Sequence, residues 1–201
     1  MSIERRFAGS TDVELTEDGR AQAKALAKRL RQVRVDALFS SPLTRCQQTA
    51  DAITEVTGRK ATLTEEIREC DFGSWEGLTA NEVREKDPDA FGNWVADDAF
   101  APPGGESWTQ VGDRVNTWWS QAAERYDDRT VLAVTHGGPI LCLARHVTQG
   151  PYLAMFSFEI DPCSVTVIQN RRRLWRLRLL NDTTHISDPL REGPPPEGMP
   201  P

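Results

Sequence analysis

The chain has 201 residues, enough for one domain with a real hydrophobic core and too few for two large ones. It is 38% apolar and 27% charged, which fits an ordinary globular domain and excludes a fibrous or disordered chain. A net charge of -6 gives no global attraction for a polyanion, and no run approaches the roughly 18 apolar residues of a membrane span.

Nucleic acid and membrane are therefore not expected partners. The polar, charged N-terminus lacks the character of a signal peptide and points to a cytoplasmic location. The four cysteines, Cys46, Cys70, Cys142 and Cys163, form no C-x-x-C pair and have no histidine at ligand spacing. Neither a zinc site nor a disulfide framework is expected.

In chain order, residues 16–33 read as a helix. Thr16 can cap it, Glu17 and Asp18 suit the first turn, and Leu26, Leu30 and Val33 recur on one face. Residues 35–40 read as a short buried strand, and Ser41-Pro42 as a cap with proline at the first helical position, opening a helix to Gly58. Residues 61–65 form a second short strand. Thr79 with Glu82 and Ser107 with Gln110 match the capping-box spacing and start two more helices.

The later of these carries Val111, Val115, Trp118 and Ala122 on one face, so the six tryptophans read as core and groove wall. Residues 102–105, P-P-G-G, form a loop. The run T-V-L-A-V-T at 130–135 is the signature of a parallel strand covered on both faces, and Pro139 opens a helix through His146. Residues 164–169 and 174–180 alternate as antiparallel strands around the basic turn at 170–173, and the proline-rich tail at 187–201 is expected to be disordered. The alternation predicts a three-layer α/β/α sandwich with a mostly parallel sheet, antiparallel C-terminal strands, and a site at the carboxyl ends of the strands.

Three residues stand where chemistry is expected. Arg45 lies in the first turn of a helix that follows a strand. There its fork and the positive helix end suit an oxyanion, although a plain surface arginine fits the position equally. His136 ends the most apolar strand, and Gly137-Gly138 behind it allow close backbone approach to a ligand. In I-R-E-C-D-F-G-S-W-E-G at 67–77, Glu69 is a candidate acid whose pKa apolar neighbours would raise, with Asp71 and Glu76 competing for the role.

Five phrases in order, S-S-P-L-T-R at 40–45, E-C-D-F-G-S-W-E-G at 69–77, P-P-G-G-E-S at 102–107, V-T-H-G-G-P-I at 134–140 and N-D-T-T-H at 181–185, together resemble the histidine phosphatase superfamily. The wording is closest to small bacterial acid and α-ribazole phosphatases, including those fused behind another domain. The resemblance implies hydrolysis of a small phosphate monoester through a phosphohistidine, without metal or cofactor. It implies that Arg45 clamps the phosphate, His136 is the second histidine, Glu69 protonates the leaving alcohol, and Gly9, Ser10 and Thr11, with Gly137, border the phosphate. A phosphoglycerate-mutase-type transfer shares the same chemistry.

The resemblance also defines a gap. Members begin with a strand ending in R-H-G, which supplies the nucleophile and a second arginine, and no R-H-G occurs in this chain. Ser2 to Asp12, S-I-E-R-R-F-A-G-S-T-D, is similar to the segment just after that phrase in relatives. The expectation is a domain over 1–186 whose first strand is missing, with negligible phosphatase activity as written; a non-catalytic phosphate binder is the alternative.

Overall fold

The computed structural model describes residues 6–171 and 174–186; the tail expected over 187–201 and the tip of the basic turn lie outside them. The first helix, α1 (Glu17–Leu30), starts where the sequence places it, with the Thr16 hydroxyl accepting from Gly19 N. It stops three residues short of the expected end, and Val33 stands 42% exposed, because the chain turns at Leu30 toward the first strand.

Strand β1 (Ala37–Ser40) leads into α2 (Thr44–Thr57). The expected cap at Ser41-Pro42 is displaced. Leu43 occupies the cap position without a side-chain bond, and Asp12, far away in sequence, accepts from Thr44 N at 2.7 Å and Thr44 Oγ1 at 2.8 Å. Gly58 closes the helix at φ 69°, a left-handed conformation that favours glycine. Strand β2 (Ala61–Leu63) precedes a 3-10 turn at Glu65–Ile67.

Both expected capping boxes form, at the starts of α3 (Ala80–Lys86) and α5 (Trp108–Arg125). Between them stands α4 (Pro88–Ala96), which the sequence reading omitted; Asp87 caps it through Ala90 N and Pro88 takes the first helical position. The predicted face of α5, Val111, Val115, Trp118 and Ala122, is buried. Strand β3 (Val131–Val134), α6 (Gly137–Thr148), β4 (Val165–Arg171) and β5 (Leu174–Asp182) complete the order.

The strands β2-β1-β3 form a parallel sheet, and β4-β5 form a separate antiparallel pair. Helices cover the parallel sheet on both sides, and alternate strand residues show it. Leu38, Leu132 and Val134 pack with Leu26, Leu30 and Ile53 of α1 and α2, whereas Phe39 and Ala133 pack with Trp118 and Ala122 of α5. This is the three-layer arrangement the alternation predicts. A third and larger cluster joins α3, α4, α5 and α6 through Phe72, Trp75, Trp94 and Trp108, so these tryptophans are core.

One expectation fails at β3. A run this apolar predicts full cover, yet all four of its residues are only partly buried. The strand pairs with β1 on one edge, and no described strand pairs with the other. Cys163 and Val165, leading into β4, pack against the same cluster as Leu132 and Val134.

Candidate active site

Two parallel neighbours, β1 and β3, end side by side, since Ser40 is in register with Val134 and Ser41 N donates to Val134 O at 2.9 Å. The next residues of each strand therefore meet: Ser41 and then α2 on one side, Thr135 and His136 on the other. Thr135 Oγ1 donates to Ile67 O at 2.6 Å, which ties the end of β3 to the segment that carries Glu69.

His136 is 8% exposed and caps α6 in extended conformation. Its Nε2 lies 2.8 Å from Ser41 Oγ and 3.4 Å from Cys46 Sγ. Burial, and then the charges of Arg45, Arg114 and Arg68, push its pKa down to about 3, so the imidazole is neutral at physiological pH. Burial pushes the Cys46 thiol up to about 12, which leaves it a neutral wall rather than a nucleophile.

Glu69 lies across from His136 at the opening of the same helix. Its carboxyl accepts from Gly138 N at 3.1 and 3.3 Å and from Cys70 N at 2.9 Å. Burial holds it above the ordinary glutamate range, against the downward pull of those amides and of Arg45 and Arg114. Burial thus favours the protonated form of Glu69. Glu76 is held below its ordinary range, because donors from Thr11, Ser10 and Phe72 outweigh its burial, and Asp71 accepts from Gly73 N at 2.8 Å in a local turn.

Arg45 stands at the start of α2, and its charge reaches both His136 and Glu69. It makes no direct bond to either in this structure. Its guanidinium donates to the carbonyls of Thr11 at 2.9 Å, Gly9 at 2.9 Å and Ala8 at 3.2 Å. Gly9 and Thr11 thus lie against Arg45, with Ser10 between them. Their amides, however, face a carboxylate: Ser10 N donates to Glu76 Oε1 at 2.8 Å and Thr11 N to Glu76 Oε2 at 3.2 Å. Gly9 has no room for a Cβ, which would stand 1.9 Å from Cys70 O. Gly137 opens α6 beside Glu69.

Of the remaining histidines, His146 lies in the last turn of α6, about 15 Å along the helix from His136. His185 is held between Arg29 Nη1 and Cys163 O at the end of β5. A recess of about 190 Å3 opens elsewhere, lined by Trp75, Val83 and Lys86 among others, and contains none of Arg45, Glu69 or His136. Among the described residues there is no group of three or more histidine, cysteine or acidic side chains set to hold a metal ion. No described helix is long and apolar enough to cross a membrane.

The family model for the histidine phosphatase superfamily, branch 1, matches residues 1–183. The chain belongs to that superfamily. Among curated relatives of this histidine phosphatase chain, phosphoserine phosphatase 1 of Hydrogenobacter thermophilus is 33% identical over 91% of this chain and 87% of its own length. The metal-independent phosphoserine phosphatase of Arabidopsis thaliana is 31% identical over 90% of this chain and 76% of its own. The chain spans only 52% of a Mycobacterium tuberculosis relative described as a bifunctional protein, at 33% identity over 92% of this chain.

Among solved structures, Bacillus stearothermophilus YhfR superposes with a TM-score of 0.84 at 32% identity, covering 92% of this chain and 93% of that one. A mycobacterial glucosyl-3-phosphoglycerate phosphatase in complex with inorganic phosphate gives 0.79 at 31%, over 92% and 95%. The superfamily, the layered fold and the phosphatase character expected from the sequence are all supported.

The sequence reading did not foresee Ser41, Cys46 or Asp12 around the site. Ser41 stands in the phrase S-S-P-L-T-R, but only the parallel register of β1 and β3 brings it to His136.

Proposed function

We propose that the chain carries the phosphate-binding and acid-donating part of a histidine phosphatase site whose substrate class is a small phosphate monoester. Arg45 and His136 would hold the phosphoryl oxygens, and Glu69, whose protonated form burial favours, would give its proton to the leaving alcohol. One observation carries the reading: Arg45, Glu69 and His136 come from three distant phrases and gather beyond the carboxyl ends of β1 and β3, where Glu69 accepts from Gly138 N, two residues past His136, and Cys46, next to Arg45, lies 3.4 Å from the His136 ring. The names of the relatives, which include phosphoserine and glucosyl-3-phosphoglycerate phosphatases, support a phosphate-ester substrate without selecting one. Hydrolysis is favoured over mutase transfer on the same ground.

The resemblance implies a second, nucleophilic histidine at such a site. The chain has three histidines, and only His136 stands at the site. A strand ending in Arg-His-Gly, of the kind the resemblance implies, would fit beside β3, whose edge away from β1 has no described partner and whose apolar residues are half-covered. Residues 1–201 alone would then bind phosphate but hydrolyse esters negligibly, because loss of a nucleophile from a concerted site costs about 10⁶ in turnover. In this state the chain is a non-catalytic binder.

Two measurements test this. Inorganic phosphate should raise the melting temperature of residues 1–201, by mass action on the folded state, and Arg45→Ala should abolish the rise. Hydrolysis of para-nitrophenyl phosphate should be negligible for residues 1–201 and appear when a strand ending in Arg-His-Gly is added in front. Robust hydrolysis by residues 1–201 would overturn the missing nucleophile, and an unchanged melting temperature would overturn the phosphate site.

A further inference from the structure

Arg114 entered the site above only through its charge, and Glu106 not at all, yet together they hold the backbone that presents Glu69. A guanidinium has five N–H donors, and Arg114, in α5, commits all of them. Nε donates to Glu106 Oε1 and Nη2 to Glu106 Oε2, both at 2.9 Å, a two-pronged carboxylate pair. Nη1 donates to Glu66 O at 2.8 Å and Arg68 O at 2.6 Å, and Nη2 also to Glu69 O at 2.9 Å.

Glu106 completes the grip from the other side. Its Oε2 accepts from Asp71 N at 3.1 Å, and its own N donates to Asp71 O at 2.7 Å. The approach is close because residue 105 is glycine; a Cβ there would stand 2.3 Å from Asp71 O. The chain is thereby fixed at residues 66, 68, 69 and 71, on both sides of the acid. From that fixed backbone the Glu69 side chain reaches α6 and accepts from Gly138 N.

We propose that Glu106 and Arg114 are a positioning pair that sets the Glu69 carboxyl at the opening of α6 beside His136, where a leaving-group oxygen would take its proton. The proposal deepens the phosphatase reading and rests on it for the role of Glu69, not for the geometry. A pair that only fastened α5 to a loop would need one backbone contact, whereas this one holds successive carbonyls around a single side chain. Lysine cannot replace arginine here, since an ammonium has no planar fork.

The groups that face Glu69 are Arg45 from α2, Arg114 from α5, and the buried thiols Cys46, Cys70 and Cys142. Burial pushes all three thiols up, so they stay neutral through acidic and neutral solution, and the Glu69 carboxyl is the group among them bonded to the Gly138 amide. A backbone N–H bonded to a carboxylate shifts when that carboxylate takes up a proton, so the Gly138 amide reports where the Glu69 carboxyl stands.

The experiment is a pH titration of residues 1–201 by amide NMR, in the parent chain, Arg114→Lys and Glu106→Gln, with Glu69→Gln to assign the response. In the parent, the Gly138 amide should shift through one titration that Glu69→Gln removes. In Arg114→Lys, folded by circular dichroism, that response should be lost, and in Glu106→Gln it should be reduced. A wild-type Gly138 titration in the folded variants would overturn the proposal and leave the pair a fastening only. Should Arg114→Lys fail to fold, the near-isosteric Glu106→Gln decides alone: a reduced response supports the pair and an unchanged one refutes it. The phosphatase reading is judged separately, by phosphate stabilisation and ester hydrolysis, so either can fail without the other.

Discussion

Ser41 Oγ stands 2.8 Å from His136 Nε2, joining residues 95 apart in sequence at the ends of two adjacent parallel strands. Ser41 is fully buried, and its oxygen also accepts from Leu43 N at 3.3 Å. The Ser41 hydroxyl and Nε2 thus share one hydrogen bond, and the ring tautomer of His136 sets which of them donates.

Ser41→Ala should cost about 1–3 kcal/mol of stability, because it removes the oxygen partner of a buried ring nitrogen and leaves it only the weak Cys46 sulfur. Urea denaturation measures the loss. Nitrogen NMR of the imidazole should show the ring tautomer of His136 no longer fixed; an unchanged tautomer ratio would remove Ser41 from the positioning role.

The pH dependence of stability arises from two opposite shifts. An unfolded His136 binds a proton near pH 6.5, while the folded one resists to about pH 3, so the unfolded state holds more protons in between. Its contribution is complete above pH 6.5 and is lost as pH falls toward 3, on the order of 5 kcal/mol at full extent. His185, also lowered, acts in the same direction more weakly. Glu69 runs the other way. Its raised value means that it stabilises the fold below its unfolded range near pH 4.5 and loses that contribution as pH rises. Glu69→Gln should therefore be more stable than the parent at pH 8, with the difference closing on acidification; urea midpoints at pH 8 and pH 4 test it.

Gly138→Ala should disturb the site without replacing a titratable residue. The added Cβ would lie 2.3 Å from Glu69 Oε1 and 3.0 Å from the Trp108 ring, so the carboxyl must give way. We expect a loss of about 1–3 kcal/mol, as for other overpacked positions. The thermal response to inorganic phosphate should persist, since Arg45 and His136 are retained; a variant as stable as the parent would show that the carboxyl moves freely.

The reading of local structure succeeded where the deciding contacts are local. Thr79 with Glu82 and Ser107 with Gln110 close their capping boxes within one turn, so the sequence alone announces both helix starts. The buried face of α5 is legible for the same reason, since helical spacing selects Val111, Val115 and Trp118 as a stripe. At α2 the same logic misplaced the cap, because the group that satisfies Thr44 N is Asp12, on a loop 32 residues earlier.

Side-chain type and spacing were enough to specify the layered α/β class, and five short phrases the superfamily; through that resemblance they also nominate Arg45, Glu69 and His136 as candidates. The surroundings of those groups came from folding alone. It turns the Arg45 fork onto the carbonyls of residues 8, 9 and 11, gives the amides of Ser10 and Thr11 to Glu76, and closes Arg114 around the backbone of Glu69. A buried charge or amide must find a partner wherever the fold brings one within about 3 Å, and that distance is set by strand register and helix packing rather than by neighbours in the chain.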